Sequence, residues 1–276
     1  MKEERLKQIL IFISAIVMLS FCLTPFVYML IISFTKNPEL GIEEIISNFT
    51  LSNYFSILTS ETLHFLDYLK NSIIISIVSS VSCVFIAILA AYSISRMNFP
   101  FKRSLLLFVL SAAMFPQVSL IPYIFKFMVK LKLINSYSSL IFPYISFGLP
   151  LSLWLLVSYF SQVPKELDKA ALIDGCSRWQ ALLKIVLPVC TPAIFSAILL
   201  TFIFSFNEFI FALLLTTDYH ARTIPVGIAL FEGLYGRVPW AEIMAASTLA
   251  IFPTVILVVV FQRYIIRGLT EGAIKG

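Results

Sequence analysis

The stretch PKELDKAALIDGCSRWQALLKIVLP, residues 164–188, is a polar interruption between two long hydrophobic runs of the chain. Its order of residue types is typical of a helix, a glycine turn and a second helix. Such an ordered break predicts a rigid segment to which a soluble partner protein binds. We refer to it as the 164–188 loop. It carries seven charged residues, which are Lys165, Glu166, Asp168, Lys169, Asp174, Arg178 and Lys184.

Start and stop signals for a first helix lie in the first half of this loop. Pro164 suits the first position of a helix, where no N–H donor is needed. Glu166 and Asp168 then place negative charge near the positive end of the helix dipole. Gly175 suits the left-handed residue that ends a helix. The pattern therefore predicts a short helix that stops at this glycine.

The second half of the loop predicts another helix. Ser177 and Gln180 have the S-x-x-Q spacing of a capping box, in which each side chain bonds the other's backbone N–H. The helix is expected to end by Pro188 and to feed the next hydrophobic run. The small side chains of Ala170 and Ala171 do not project far from the first helix, so another protein can approach the helix closely there. A solvated connector with amphipathic helices lying on the bilayer is the alternative.

Composition places most of the chain in lipid. Hydrophobic residues make up 59% of the 276 residues and charged residues 13%, with a mean hydropathy of +0.95. A soluble domain carries roughly 25% charged and 45–50% apolar residues. The excess predicts an all-α membrane protein with six transmembrane helices, because the runs lack strand alternation. The charge-free runs of about 20 or more residues are 9–35, 71–95, 104–125, 133–163, 185–207 and 243–262.

The distribution of Lys and Arg predicts the orientation. A cytoplasmic N-terminus puts thirteen of these residues inside and seven outside, which agrees with the positive-inside rule and also places the C-terminus inside. Lys126, Lys130 and Lys132 run against the rule. The net charge of +5 follows from this topology and indicates no nucleic-acid partner, because the basic residues are spread over separate loops.

The sequence contains few residues in patterns typical of an enzyme or of a cofactor site. None of the nine glycines begins a G-x-x-x-x-G-K-[ST] phosphate loop. The two histidines, His64 and His220, fall in predicted outer loops without a paired nucleophile. The four cysteines show no C-x-x-C spacing. The chain is thus predicted to bind no cofactor or metal of its own and to be no enzyme.

Glu208 is a full charge well inside a hydrophobic run. A carboxylate at the bilayer centre costs about 2.5–3.5 kcal/mol, so it is expected to face protein or a water-filled pathway. One hypothesis places Asn207 and Glu208 on a transport pathway or gate, with Gln117 as a further polar candidate. The other is a structural hydrogen bond between helices or a place near the outer interface.

Prolines mark places where the spans can bend. Pro116 and Pro122 lie in the third run, Pro143 and Pro150 in the fourth, and Pro253 in the sixth. Proline is commoner in membrane helices than in soluble ones, so a static kink is the interpretation favoured for each.

The segments DKAALIDG at 168–175 and KIVLP at 184–188 resemble the EAA loop of binding-protein-dependent ABC importer permeases, whose pattern is E-A-A-x-x-x-G, a spacer and I-x-L-P. Lys169 stands where the motif's glutamate usually stands. If that glutamate pairs with the ATPase, this chain must use Asp168 or Glu166 instead, or do without the pair. The matching residues are Ala170, Ala171, Gly175, Ile185, Leu187 and Pro188.

Further stretches are similar to the carbohydrate branch of these permeases, the maltose-transporter type, and extend the resemblance over nearly the whole chain. They are LSNYFSIL at 51–58, FLDYLKNSIIIS at 65–76, NEFIFALLLT at 207–216, RTIPVGIALFEG at 222–233 and FQRYIIRGLTEGAIKG at 261–276. The resemblance implies a type I importer permease fold and a 164–188 loop that couples to an ATPase. The candidate coupling residues are Glu166, Asp168, Ala170, Ala171, Asp174 and Gly175.

The resemblance also implies partners. They are a second homologous permease subunit, two ATP-binding subunits that hold ATP and Mg²⁺, an extracytoplasmic solute-binding protein, membrane lipid and a sugar substrate. The outer loops 36–70 and 217–242 are expected to touch the binding protein. A permease for a polyol or a glycerol-phosphate type of solute, a secondary transporter and a membrane scaffold are the alternatives.

The predicted organisation is a single permease domain over 1–276. Residues 1–69 form the first span and an external loop, residues 70–262 form the core with the 164–188 loop, and residues 263–276 form a cytoplasmic tail.

Overall fold

The computed structural model of the chain describes residues 2–36, 49–60, 62–231 and 238–273. Parts of both predicted outer loops, at 37–48, 61 and 232–237, and the last three residues of the predicted tail lie outside this description. The helices are α1 (Lys2–Ser33), α2 (Ser52–Thr59), α3 (Phe65–Arg96), α4 (Lys102–Ala113), α5 (Gln117–Lys130), α6 (Tyr137–Gln162), α7 (Lys165–Ile173), α8 (Arg178–Val189), α9 (Thr191–Phe206), α10 (Ile210–Leu215), α11 (Ile224–Ala229) and α12 (Trp240–Ala273).

Four helices are long and apolar enough to cross a membrane as single elements: Arg5–Ser33, Phe65–Arg96, Tyr137–Gln162 and Trp240–Gln262. They correspond to the first, second, fourth and sixth predicted runs. The α-helical fold class is confirmed, since the described residues form helices and one isolated β-bridge between Thr35 and Phe49.

The third and fifth predicted runs each form a bent pair of helices and not one continuous helix. Helices α4 and α5 meet at 90°, and α8 and α9 meet at 80°. The structure therefore has four spans, or six if each bent pair is counted as one. Pro116 explains the first bend, because it stands at the N-cap of α5 with extended backbone and cannot continue α4. Cys190 ends α8, and α9 begins with proline in its first turn.

The other four prolines named above do not break their helices. Pro122 lies inside α5, Pro143 and Pro150 inside α6, and Pro253 inside α12. Membrane helices tolerate proline because neighbouring groups satisfy the freed carbonyl. Proline alone therefore did not distinguish the broken span from the continuous ones.

The chain forms two compact units, which are described separately. The first contains residues 1–66 and 227–252. In it the Asn53 amide donates to the carbonyls of Ser33 and Thr35 at 2.9 and 3.0 Å. The hydroxyls of Ser33 and Tyr54 are 2.6 Å apart. These bonds hold α2 against the end of α1.

The second unit contains residues 67–226 and 253–276. Helices α3, α6 and α9 pack closely in its interior. The Ser152 and Thr201 hydroxyls are hydrogen bonded at 2.9 Å, and the thiol of Cys83 lies 3.7 Å from Ser152 Oγ. Gly148 permits this approach, because a Cβ there would lie 2.8 Å from Thr201 Cγ2. Small and hydroxyl-bearing residues at such contacts are typical of membrane helix packing.

Polar bonds also fix the first turns of α3 in this unit. The Asn71 amide donates to the carbonyls of Tyr219 and Arg222 at 2.8 and 2.9 Å, and its oxygen accepts from the Tyr137 hydroxyl at 2.6 Å. Ser72 Oγ accepts from the backbone N–H of Ile224 at 2.7 Å. The connector between α10 and α11 is therefore tied to α3.

Candidate functional site

The first helix of the 164–188 loop forms as the sequence predicts, with its start moved by one residue. Pro164 is the N-cap residue, with φ −55° and ψ 131°, and α7 begins at Lys165. Its extended backbone places it just outside the helix and not at the first helical position. Glu166 and Asp168 lie in the first turn, as expected from the helix dipole.

The exposed and buried faces of α7 divide the predicted coupling residues. Glu166, Ala170 and Asp174 are exposed to solvent. Asp168 and Ala171, which are three positions apart and share a helix face, are buried at 8% and 4% exposure. Ala170 therefore belongs to the accessible surface of the loop, whereas Ala171 packs inside the chain.

Asp168 forms a buried ion pair with Arg96 in the last turn of α3. Arg96 Nε lies 2.8 Å from Asp168 Oδ2, and the two side chains are 4% and 11% exposed. A second nitrogen of the guanidinium, Nη1, donates to the carbonyl of Val163 at 2.9 Å. One arginine thus contacts both the residue after α6 and the first turn of α7.

Tyr92, one turn earlier on α3, adds two longer contacts to the same loop. Its hydroxyl lies 3.5 Å from Asp168 Oδ1 and 3.4 Å from the carbonyl of Arg178. Because Arg178 begins α8, the end of α3 contacts both helices of the 164–188 loop. Sequence reasoning missed Tyr92 and Arg96, which lie far from the loop in the chain and carry no local signal for this contact.

The glycine turn between α7 and α8 has the predicted left-handed conformation, with φ +84° at Gly175. The N–H of Cys176 donates to the carbonyl of Ala171 at 2.9 Å, and the N–H of Gly175 donates to that of Leu172 at 3.2 Å. This pair of bonds is the Schellman motif. It gives the turn one defined geometry, so α7 and α8 are joined rigidly.

The capping box that opens α8 is also confirmed. The Gln180 N–H donates to Ser177 Oγ at 3.2 Å, and the Ser177 N–H donates to Gln180 Oε1 at 2.8 Å. Beyond it, residues Leu182–Val186 wind as a π-helix. The helix then continues past Pro188 to Val189, so the predicted end by Pro188 was wrong. Pro188 lies in the first turn of the segment Leu187–Val189 that follows the π-helix, a place where proline's missing N–H is tolerated.

Two large apolar side chains lie exposed on either side of the glycine turn. Ile173, the last residue of α7, is 85% exposed, and Trp179 in the first turn of α8 is 52% exposed. Sequence reasoning concentrated on the charges of this loop and missed both. Leu167 and Leu172 of α7 are also exposed, at 42% and 40%, so the greater exposure of Ile173 depends on packing that its apolar character alone does not reveal.

The second candidate site, at Glu208, lies at a helix break. Its carboxylate accepts the Tyr144 hydroxyl at 2.8 Å, the N–H of Phe211 at 2.9 Å and the N–H of Ala212 at 3.2 Å. The predicted run 185–207 therefore ends with α9, and Glu208 caps the short helix α10. The hydrogen bond between helices that the sequence offered as one reading of Glu208 is present.

The other two pathway candidates are not gathered around Glu208. Asn207 is exposed, and its amide donates to the carbonyl of Ile203 on its own helix at 2.8 Å. Gln117 is half-buried at the first residue of α5. Within the described part of the chain, no hydrogen bond joins either side chain to Glu208.

The connector between α10 and α11 includes a group with a strongly shifted pKa, Asp218. Hydrogen bonds from the Asn135 side chain and from the backbone N–H of His220 lower the pKa of Asp218 to about 2. The imidazole of His220 also lies 2.9 Å from the carboxylate. Within the described residues no group of three or more His, Cys, Asp or Glu side chains is arranged to hold a metal ion.

Comparison with known proteins agrees with this architecture. The family described as binding-protein-dependent transport system inner membrane component matches residues 83–271. The chain is 53% identical to the trehalose/maltose transport system permease protein MalG of Thermococcus litoralis, over all of both chains. It is 38% identical to the trehalose transport system permease protein SugB of Mycobacterium tuberculosis, over 83% of this chain and 84% of that protein.

A solved structure shows the same fold. One chain of the crystal structure of a bacterial ABC transporter involved in the import of the acidic polysaccharide alginate superposes with a TM-score of 0.79 at 20% identity. The match covers 96% of this chain and 98% of that chain. The fold is therefore that of a type I ABC importer permease. The chain is accordingly a multi-pass membrane permease and not an enzyme, and it belongs to the family of binding-protein-dependent transport system inner membrane components.

Proposed function

We propose that this chain is the membrane-spanning subunit of an ATP-driven sugar importer and forms half of its translocation pathway. The observation that carries the proposal is the 164–188 loop. A Schellman turn and a capping box order it, and Ile173 projects from it with 85% of its surface exposed. A rigid loop with an exposed apolar residue is suited to docking on another protein.

The exposed half of the loop forms the ATPase contact in this proposal. Glu166, Ala170, Asp174 and Gly175 lie on the accessible surface. Asp168 does not contact the ATPase in this proposal, because its carboxylate is already paired with the buried Arg96. It contributes by holding α7 in place. Glu166 therefore supplies the carboxylate that replaces the motif's usual glutamate. Ala171 likewise contributes by packing α7 against the chain.

The partners in this proposal are those expected for the family to which the chain belongs. A second permease subunit completes the pathway, and two ATP-binding subunits supply the nucleotide and Mg²⁺. An extracytoplasmic solute-binding protein delivers the substrate, and a protein with this fold has been crystallised as a bacterial alginate ABC transporter in complex with an alginate pentasaccharide-bound periplasmic protein. Both termini and the 164–188 loop face the cytoplasm, and residues 1–276 act as one permease domain.

A carbohydrate is the proposed substrate class. Relatives that match this chain well are named for trehalose and maltose, for trehalose, and for sulfoquinovosyl glycerol. A sugar of the maltose or trehalose type is therefore the first candidate. We assign no residue to sugar contact.

In the proposed pathway, Glu208 stabilises the structure of the gate. Its bonds to Tyr144 and to the first turn of α10 hold the break between α9 and α10 in one geometry. A gate needs a defined boundary of this kind. Asn207 beside the break and Gln117 at the bend between α4 and α5 are proposed to face the same pathway.

Crosslinking through Cys176 tests the ATPase contact. This thiol is half-exposed beside Gly175, whereas Cys83 and Cys190 are buried. A cysteine placed in the docking cleft of the ATPase is expected to form a disulfide with Cys176 in the assembled importer. The Cys176→Ser variant is the control. A crosslink to lipid probes but to no position on the ATPase would contradict the proposal.

A further inference from the structure

The last two turns of α3 contact three successive parts of the chain around the 164–188 loop. Arg96 pairs with Asp168 of α7 and donates to the carbonyl of Val163, which follows α6. Tyr92 lies within 3.4 Å of the carbonyl of Arg178, which begins α8. We propose that Arg96 is a positioning residue for ATPase coupling: it fixes the orientation of the 164–188 loop on α3, so that α3 moves with the loop.

The loop's internal bonds do not set this orientation. The Schellman turn and the capping box fix α7 relative to α8, but both lie within the loop itself. The loop is joined through the chain to α6 and α9, and neither connection is a continuous straight helix. Val163 is extended between α6 and α7, and α8 meets α9 at 80°. Contacts with other spans therefore hold the loop at one angle: Leu182 and Val186 supply apolar packing, and Arg96 supplies the polar contact.

Arg96 has the chemistry that this task requires. A guanidinium presents several N–H donors in a rigid plane, so one arginine can bind a carboxylate and a carbonyl at once. Here Nε faces Asp168 while Nη1 bonds Val163. The side chain is 4% exposed, so solvent screens the pair little. A lysine in its place would offer one ammonium group for both acceptors.

The opposite end of α3 is tied to the predicted outer connector in a similar way. Asn71 bonds the carbonyls of Tyr219 and Arg222, and Ser72 bonds the N–H of Ile224. A movement of the loop that α3 follows would therefore reach this connector. Coupling needs a physical element whose position both ends influence, and α3 is such an element.

The inference rests on the proposed function, since it assumes that the 164–188 loop receives the ATPase. Its test uses the assembled importer in proteoliposomes and the variants Arg96→Gln, Asp168→Asn and the double variant. Each single variant leaves a buried charge unpaired, whereas the double variant removes both charges. Lys130→Gln, which removes an exposed charge of α5 outside the loop, is the matched control.

Two quantities are measured for every variant that assembles. One is the amount of substrate imported per ATP hydrolysed. The other is the mobility of a nitroxide label on Cys176, with the other three cysteines replaced by serine. We expect the double variant to assemble as the unmodified importer does, to show a more mobile label and to lose import per ATP on the order of tenfold, within the usual range of coupling between sites. For Arg96→Lys, we expect label mobility and import per ATP between those of the unmodified importer and those of the double variant.

A double variant with unmodified label mobility and import per ATP would show that the pair serves stability alone, and the inference would fail. Greater label mobility with unchanged import per ATP would also overturn it. A failure of the proposed function would give a different result. Cys176 of the unmodified chain would then crosslink to no position on the ATPase, independently of the effect of the Arg96 variants on label mobility.

Discussion

The hydroxyl of Tyr144 on α6 donates a 2.8 Å hydrogen bond to the carboxylate of Glu208, at the break between α9 and α10. The same carboxylate accepts two backbone N–H groups from the first turn of α10. A charge inside a hydrophobic run is thus satisfied by protein donors, which offsets the cost of its transfer from water.

Glu208→Gln is expected to destabilise the protein by about 1–3 kcal/mol, because an amide keeps one acceptor oxygen where the carboxylate has two. The thermal midpoint of the solubilised complex measures the effect. Asn207→Ala is the matched control, since Asn207 is exposed and bonds its own helix, and a change within about 0.5 kcal/mol is expected for it. Equal midpoints for Glu208→Gln and the unmodified protein would contradict the bracing role.

Transport by the same variant separates the two hypotheses for Glu208. At a temperature where Glu208→Gln is fully folded, a bracing or pathway role predicts a lower rate of sugar uptake in proteoliposomes. An uptake rate equal to that of the unmodified importer would leave Glu208 a structural cap and nothing more.

Ile173→Ser is expected to weaken binding of the ATPase without destabilising the permease. The side chain is 85% exposed, so its removal changes stability by less than about 0.5 kcal/mol. An apolar anchor at an interface is worth about 1 kcal/mol or more, roughly a fivefold loss of affinity. Co-purification of the ATPase with the solubilised permease measures it, and Lys130→Gln, an exposed charge outside the loop, serves as the control. Undiminished recovery of ATPase would remove Ile173 from the contact.

Gly175→Val tests the turn itself. A Cβ at this position meets no atom within 4 Å, but φ is +84°. The cost is therefore backbone strain, roughly 1–2 kcal/mol for the left-handed conformation. Gly175→Asn is the matched variant, because asparagine tolerates this region better. We expect valine to reduce ATPase association and uptake while membrane insertion stays normal, and asparagine to retain most of both. Equal uptake by the two variants would argue against the coupling role of the turn.

Local signals in the sequence were sufficient for the internal structure of the 164–188 loop. The capping box of Ser177 and Gln180 and the left-handed Gly175 each depend on residues within a few positions. The apolar runs gave four of the spans directly, because length and hydropathy alone define them.

Contacts between distant parts of the chain were not predictable in the same way. Asp168 is one acid among several in the loop, and its burial depends on Arg96, which lies on α3 and is brought near only by packing. Pro116 was among the prolines named as possible bends, but nothing local set it apart from the prolines that lie inside continuous helices, and the break at Cys190 was not predicted. Which proline breaks a helix depends on the neighbours that satisfy its freed carbonyls.

The carboxyl group of Asp218 is expected to titrate with a midpoint near 2. Hydrogen bonds from Asn135 and His220 lower its pKa to about 2 from an ordinary value of 3.8. Because the folded-state pKa is lowered, these bonds stabilise the connector above about pH 3.8 and are lost as the pH falls through about 2. The chain has four aspartates, so carbon-13 NMR of labelled carboxyl groups resolves Asp218, with Asp218→Asn for assignment.

Asn135→Ala should raise the midpoint of Asp218 towards its ordinary value, because the Asn135 side chain is the largest cause of the shift. A midpoint near 3.8 in the unmodified protein would mean that this hydrogen bond does not form in solution.

The contact of Gly148 with Thr201 offers a test of the packing between α6 and α9. A Cβ at Gly148 would lie 2.8 Å from Thr201 Cγ2 and 3.3 Å from the thiol sulfur of Cys83. Gly148→Ala should therefore overpack this interface and destabilise the protein by about 1–3 kcal/mol. Thr201→Ser removes the clashing methyl group and keeps the hydroxyl that bonds Ser152. The double variant is expected to recover most of the lost stability, measured as the thermal midpoint of the solubilised complex. Additive losses in the double variant would show that the two helices do not meet at this contact, because independent sites add whereas contacting sites couple.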